Sequence, residues 1–389
     1  MTTTLRILDE SSAHGDAKAA SGALRPGIDQ AAEADLSRCG ALADFWYVAS
    51  LASELGRDKP LGRTVFGVRL ALFRDQTGTA RAVRDRCLHR AAALSKGAVV
   101  HGLLCCPYHG WSYGGDGQCL HVPSDEDRPP AGSQCLKSYP TREQDGLIYV
   151  YVGSPPGPRK EPFQVPYWND KSWTSYYMVT PFKNGITNLV ENFMDVPHTV
   201  YVHEGWFRNR ARRKVPATVD RTPTSVLVTY HEERDRIAGL GFVLDPSGRQ
   251  PMVHTDKFYI PNVTRVDYTF GNQSGFIITS QCTPVGATES LVYTAISYRL
   301  PFDIPGSVVA RALRPLMRWY TTQVIRQDVA IMEVQRQGLL GEQEDDPIRF
   351  GATDADALHE DIEALRGWLL QGGAGSPPSP RSRTIDFWI

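Results

Sequence analysis

The 389-residue chain has almost no excess charge of either sign: 42 Lys and Arg stand against 43 Asp and Glu, a formal net charge of −1. No overall field therefore recruits nucleic acid or an anionic membrane surface. No run approaches the roughly 18 consecutive apolar residues that a membrane-spanning helix needs. The stretch from Met1 to Gly15 is polar, with Asp9, Glu10 and Ser11 where a secretory leader requires apolar residues. Internal repeats are missing, and so is a Gly-x-Gly-x-x-Gly fingerprint after a strand. Nicotinamide and flavin are accordingly expected on a partner protein. With 41% apolar and 22% charged residues, the chain has an ordinary globular composition. At roughly 150 residues per domain it predicts two or three domains in a soluble, cytoplasmic protein, with no membrane and no nucleic-acid partner.

A disulfide framework is also unlike this sequence. The seven cysteines (Cys39, Cys87, Cys105, Cys106, Cys119, Cys135 and Cys282) are odd in number, and five fall between positions 87 and 135. In a reducing compartment, clustering of this kind points to metal.

Residues 1–40, rich in Ala, Ser, Gly and acids, read as a mobile N-terminal arm. Short β-like runs then extend from Phe45 to Val152, separated by turns such as Asp75 to Gly78 and Gly114 to Gly117, and predict a small antiparallel β domain over 41–153. The prolines of Ser154 to Pro166 mark a linker. A second domain over 167–371 carries a helical candidate from Gly185 to about Val202. Strands follow at Ser225–Tyr230, Thr255–Ile260, Thr264–Phe270, Gly275–Thr283 and Ser290–Tyr298, then a long helix from about Leu316 to Gln337. Residues 372–389 read as a loose tail. The expected fold class is α+β.

Within the first domain, Cys87-Leu88-His89 and Cys106-Pro107-Tyr108-His109 each place one thiolate and one imidazole on a tight turn, separated by enough chain for one hairpin. Two thiolates with two imidazoles could bind zinc tetrahedrally. They could equally hold a two-iron cluster with cysteines on one iron and histidines on the other. Alternation of Cys and His between two β-turns favours iron. Cys105 would point away from its neighbour's ligand site, and His101, Cys119 and His121 fit no ligand spacing.

In the second domain, His198 and His203 lie five apart, with Pro197 supplying a local irregularity that lets them converge. A carboxylate would complete a 2-His-1-carboxylate triad with open positions. Asp328 falls inside an apolar helical stripe formed by Leu313, Met317, Tyr320, Val324, Ile331 and Gln335, where an acid is costly unless paired or metal-bound. Asp195 stands one turn before His198, placed to orient its imidazole. Asn192, one turn further back, is a candidate for contacting an open metal position, or a helix cap.

The line CLHR…CCPYHGWSY, with the downstream histidine pair, resembles the Rieske non-haem iron aromatic-ring-hydroxylating oxygenases, specifically their terminal (α) subunit. Trp46-Tyr47-Val48-Ala49 is similar too. The resemblance implies an N-terminal all-β Rieske domain and a C-terminal helix-covered antiparallel sheet of helix-grip type. It implies Cys87, His89, Cys106 and His109 on a [2Fe-2S] cluster, and His198, His203 and Asp328 on mononuclear Fe(II). Asp195 becomes the acid bridging the cluster of one subunit to the iron of the next in a homotrimer. O2 is then co-substrate, and NAD(P)H supplies electrons through a reductase, with or without a ferredoxin. The style is nearer the α-only monooxygenases and demethylases acting on small organic substrates. Cis-dihydroxylation of an arene, or a pure electron-transfer protein, are the alternatives. Arg208, Arg210, Arg212, Arg213 and Lys214 could dock an acidic ferredoxin, attract a carboxylated substrate, or form a solvated loop. Met178, Phe182, Phe242, Phe276, Ile278 and Tyr298 are candidates for the pocket wall, and Phe387-Trp388-Ile389 for a subunit contact.

Overall fold

The computed structural model describes residues 30–126, 128, 135–206, 214–231, 240–301, 308–340 and 353–388. Arg208, Arg210, Arg212, Arg213, Ile389 and residues 1–29 of the expected arm lie outside these. The chain is α+β, an all-β N-terminal unit followed by a helix-covered antiparallel sheet.

Among the described residues, eleven short strands build the first unit. Strands β1 (Tyr47–Leu51), β10 (Thr141–Gln144) and β11 (Leu147–Val150) form a sheet in the order β1-β11-β10. Strands β2 (Leu61–Val65), β3 (Val68–Arg74), β4 (Ala80–Arg84) and β9 (Ser138–Tyr139) pair in sequence. A smaller sheet of β5 (Ala98–Val100), β6 (Leu103–Cys105), β7 (Ser112–Tyr113) and β8 (Cys119–His121) carries the second cysteine–histidine turn. Runs such as VRLALFR bury nearly every residue, because both faces of β3 are covered.

In the second unit, β12 (Thr174–Phe182), β13 (Lys214–Arg221), β14 (Ser225–Tyr230), β15 (Met252–Tyr259), β16 (Val263–Phe270), β17 (Gly275–Gly286), β18 (Glu289–Arg299) and β19 (Arg381–Trp388) form one eight-stranded sheet. Its order is β12-β18-β17-β16-β15-β14-β13-β19, and every pairing is antiparallel. The helices are α1 (Gln30–Ala34), α2 (Ile186–Met194), the short α3 (Gly241–Leu244), α4 (Val308–Leu340) and α5 (Ala357–Leu370). Hydrogen bonds tie β1 and β11 of the first unit to the large sheet: Thr283 Oγ1 donates to Val48 O at 2.8 Å, Tyr293 OH to Ala49 O at 2.5 Å, and Gln281 Nε2 to Tyr149 OH at 3.0 Å.

Several expectations need correction. The arm read over 1–40 is packed from Ala31 onward: Glu33 is 2% exposed, ion-paired with Arg366 of α5 and accepting from the Thr187 N–H at 3.1 Å. The loose tail read over 372–389 includes β19, which pairs along all of β13 from Arg221↔Arg381 to Lys214↔Trp388. Helix α2 stops at Met194, short of Val202. Asp195 is extended (φ −90°, ψ 110°) and a 3₁₀ turn, Pro197–Val200, follows. Pro197 has no N–H to continue the ladder and suits the first position of a new turn. On α4 the apolar stripe slips by one residue at its end, so Met332 is buried and Ile331 is 38% exposed.

Candidate active site

The two cysteine–histidine turns of the first unit share one backbone pattern. The Ala91 N–H donates to Cys87 O at 3.0 Å and the Cys87 N–H to Ala92 O at 2.9 Å. In the second turn the Gly110 N–H donates to Cys106 O at 3.1 Å and the Cys106 N–H to Trp111 O at 2.8 Å. Both turns close through a left-handed residue, Ala91 at φ 58° and Gly110 at φ 74°. A Cβ on Gly110 would also sit 3.1 Å from Pro123. The result is a matched pair of loops with sulfur inside and imidazole outside. Cys87 and Cys106 are buried, whereas His89 and His109 are exposed with ring centroids 4.5 Å apart. Trp111 stacks on His89 at 4.8 Å and 6°. This layered donor set, all thiols unpaired, suits a [2Fe-2S] cluster with its cysteine-held iron inward and its histidine-held iron at the tip.

Tyr113 adds a contact that ligand spacing does not reveal. Its oxygen accepts from the Leu88 N–H at 3.2 Å and lies 3.1 Å from Cys87 Sγ, to which the hydroxyl would donate once that sulfur is a thiolate. Cys105 Sγ instead meets Ser112 Oγ at 3.0 Å. Burial pushes the Cys39 thiol up to about 11 and Cys282 up to about 12, so neither is a reactive thiolate.

In the second unit, α2, the turn after it and α4 bring His198, His203 and Asp328 together, with one ligand atom from each inside 4.8 Å. His203 Nε2 lies 3.1 Å from Asp328 Oδ1 and 3.3 Å from His198 Nε2; His198 Nε2 is 3.7 Å from the same oxygen. Donors about 2.1 Å from a common ion and mutually cis stand about 3 Å apart, so these spacings fit one face of a metal. Hydrogen bonding explains why a cation belongs there. Gln327 Oε1, 2.9 Å from His203 Nδ1, holds the ring proton on that nitrogen. Asp195 Oδ2 lies 3.5 Å from His198 Nδ1. The His203 Nε2 lone pair therefore points at the Asp328 carboxylate, one acceptor facing another. Burial disfavours a charged His198, but Asp195 and Asp328 outweigh it and raise its pKa. A proton thus competes with metal for this ring.

The triad faces a cavity of about 100 Å³ between the helices and the sheet. Asn192 Oδ1 is buried there without a hydrogen-bond partner, as a residue awaiting a ligand would be. Met178 and Ile278 line the cavity. Of the other expected wall residues, Phe182, Phe276 and Tyr298 lie in the packed core, and Phe242 is 73% exposed. Across from the helices, His254, Asp256, Thr264, Ser280 and Thr294 bring polar atoms to the wall. Alternation along β15 puts His254 and Asp256 on one face, a signal present in the sequence but unread.

Fold and site together define a chain with a Rieske cluster domain joined to a mononuclear-metal domain. Comparison with known proteins agrees: the Rieske [2Fe-2S] domain family matches residues 45–140, and the vanillate O-demethylase oxygenase C-terminal domain matches 185–360. In domain content and order the chain resembles the α subunits of the Rieske non-haem iron oxygenases. It is 41% identical over 161 residues to the dicamba O-demethylase oxygenase component of Stenotrophomonas maltophilia, covering 41% of this chain and 46% of that protein. It is 35% identical over 349 residues to the chloroplastic protein TIC 55 of Pisum sativum, covering 85% and 58%. The matches span about half the length of these curated relatives. In fold it resembles dicamba monooxygenase bound to 3,6-dichlorosalicylic acid (TM-score 0.74, 24% identity, 86% of this chain and 99% of that one). The QL mutant of NdmA of Pseudomonas putida CBB5 with caffeine is similar (TM-score 0.69, 20% identity, 88% and 97%).

Proposed function

We propose that this chain is a terminal oxygenase that hydroxylates or demethylates a small aromatic substrate, using O2 and electrons that reach it from NAD(P)H through a reductase or ferredoxin. One observation carries the reading: a buried His198–His203–Asp328 face opens on a cavity in a chain that also carries the Cys87, His89, Cys106 and His109 set. When bound, the cluster supplies single electrons and the mononuclear iron supplies open positions for O2. Cys87 and Cys106 hold the inner iron of the cluster, and His89 and His109 the outer. Asp195 orients His198 and links the two metal sites across a subunit boundary in a homotrimer. Asn192 presents its unpartnered oxygen to the open side of the metal face. The apolar cavity wall orients the ring and excludes water. Seven unpaired thiols support a cytoplasmic setting.

Product mass spectrometry with a surrogate reductase, NADH and O2 tests this. Gain of one oxygen, or loss of CH2 with formaldehyde release, is expected from aromatic or N-methyl substrates; gain of two oxygens and two hydrogens would make it a dioxygenase. Asp328→Ala should lose the mononuclear iron and keep the cluster's colour. Full iron retention in that variant would overturn the ligand set.

A further inference from the structure

The sheet side of the cavity carries a buried polar relay for which metal binding has no use. Asp256, on β15, is 2% exposed and lines the cavity. Its Oδ1 accepts from His254 Nε2 at 3.0 Å and its Oδ2 from Tyr230 OH at 2.9 Å. The His254 ring is clamped between two aromatic faces, Tyr230 at 4.3 Å and 17°, and Tyr268 at 4.4 Å and 14°. The relay is therefore rigid, and its carboxylate is fixed in place. A carboxylate has about four acceptor directions, and these two donors occupy two of them. Each oxygen thus keeps acceptor capacity for one more donor, such as one on a bound molecule.

We propose that Asp256 is the substrate anchor: it accepts a hydrogen bond from a neutral donor on the aromatic ring, a phenolic O–H or a ring N–H, while the helix side presents the metal face to the group that reacts. This deepens, and rests on, the oxygenase reading above. The same charge discriminates against a substrate carboxylate, because two carboxylates in one buried site repel. No Lys or Arg lines the cavity among the described residues to offset that repulsion. Of the other cavity hydroxyls, Ser280 and Thr294 lie 3.2 Å apart and bond to each other.

The test measures binding without turnover, by anaerobic calorimetry on the holoprotein. The probes are the three methoxyphenols, the matching dimethoxybenzenes and the matching methoxybenzoates. A hydrogen bond to a charged acceptor corresponds to an affinity gain of about tenfold to a hundredfold. One methoxyphenol isomer should therefore exceed its dimethoxybenzene and its methoxybenzoate by at least about tenfold. Asp256→Asn should erase most of that phenol advantage, leave dimethoxybenzene affinity unchanged and improve methoxybenzoate binding. The wild-type series does not depend on how the variant folds. Equal affinities, a preference for benzoates, or no binding by any probe would overturn the anchor. Iron content and cluster absorbance of the same samples separate the two readings: missing mononuclear iron defeats the oxygenase, whereas full iron without phenol preference defeats the anchor alone.

Discussion

Replacing Gln327 by leucine isolates one interaction at the metal face. The residue accepts from His203 Nδ1–H at 2.9 Å, against a ring only 3% exposed. Leucine keeps the bulk and removes the acceptor. The proton of the buried imidazole then gains by moving to Nε2, where Asp328 Oδ1 waits 3.1 Å away. Metal binding must now reverse that shift and break a hydrogen bond to a charged group, at a cost of about 1.5–3 kcal/mol. At about 1.4 kcal/mol per factor of ten, iron affinity should fall about tenfold to a hundredfold. Equilibration against chelators of graded strength, with iron counted per chain and cluster absorbance as internal reference, measures the loss. Gln327→Glu, which keeps an acceptor and strengthens it, should hold iron at least as tightly as the wild type. A leucine variant within about threefold of wild-type affinity would refute the tautomer argument.

Tyr113→Phe removes a hydrogen bond to Cys87 sulfur that favours the more negative, reduced cluster; its potential should fall by about 20–60 mV, and an unchanged or higher value in a redox titration would count against the contact. Glu33→Ala leaves the Arg366 guanidinium buried without its carboxylate, costing about 3–5 kcal/mol in denaturant unfolding, while Glu33→Leu with Arg366→Met should recover most of it. Little change in the single variant would refute that. His359 is buried, which disfavours its charge, but Asp356 at 3.6 Å and the nearby Glu191 and Asp195 carboxylates raise its pKa above 6.5. A raised folded value adds stability below pH 6.5 that is lost as pH climbs through it. The wild type's advantage over His359→Gln should shrink above that pH, and a growing advantage would reverse the assignment.

What could be read from the sequence was what short range fixes. Each cysteine–histidine turn is a local loop, so residue spacing alone displays its candidate donors. Asp328 was legible because an acid within an apolar stripe is an energetic anomaly. Strand Ser225–Tyr230 shows its alternation openly. Gln327 and Tyr113 were hidden, because each acts on a partner brought close only by packing. The His254–Asp256–Tyr230 relay depends on β14 pairing with β15 in register, His254 opposite Tyr230. Strand β13 was obscured by Pro216 and by its position beside the basic run. Pro216 fits nonetheless, since its carbonyl accepts from the His231 N–H at 3.0 Å.

The pairing of β13 with β19 also orders events in time. During synthesis β13 emerges early and finds β14 at once, but its other edge has no partner until Arg381–Trp388 leave the ribosome. Through that interval an edge whose inward side chains are Val215, Ala217 and Val219 offers unpaired backbone to any other nascent chain. The last strand acts as a clasp: until it closes, the sheet can recruit a stranger. Shortening the chain before Arg381 should drive the expressed protein into inclusion bodies while leaving both proposed metal-ligand sets intact in sequence.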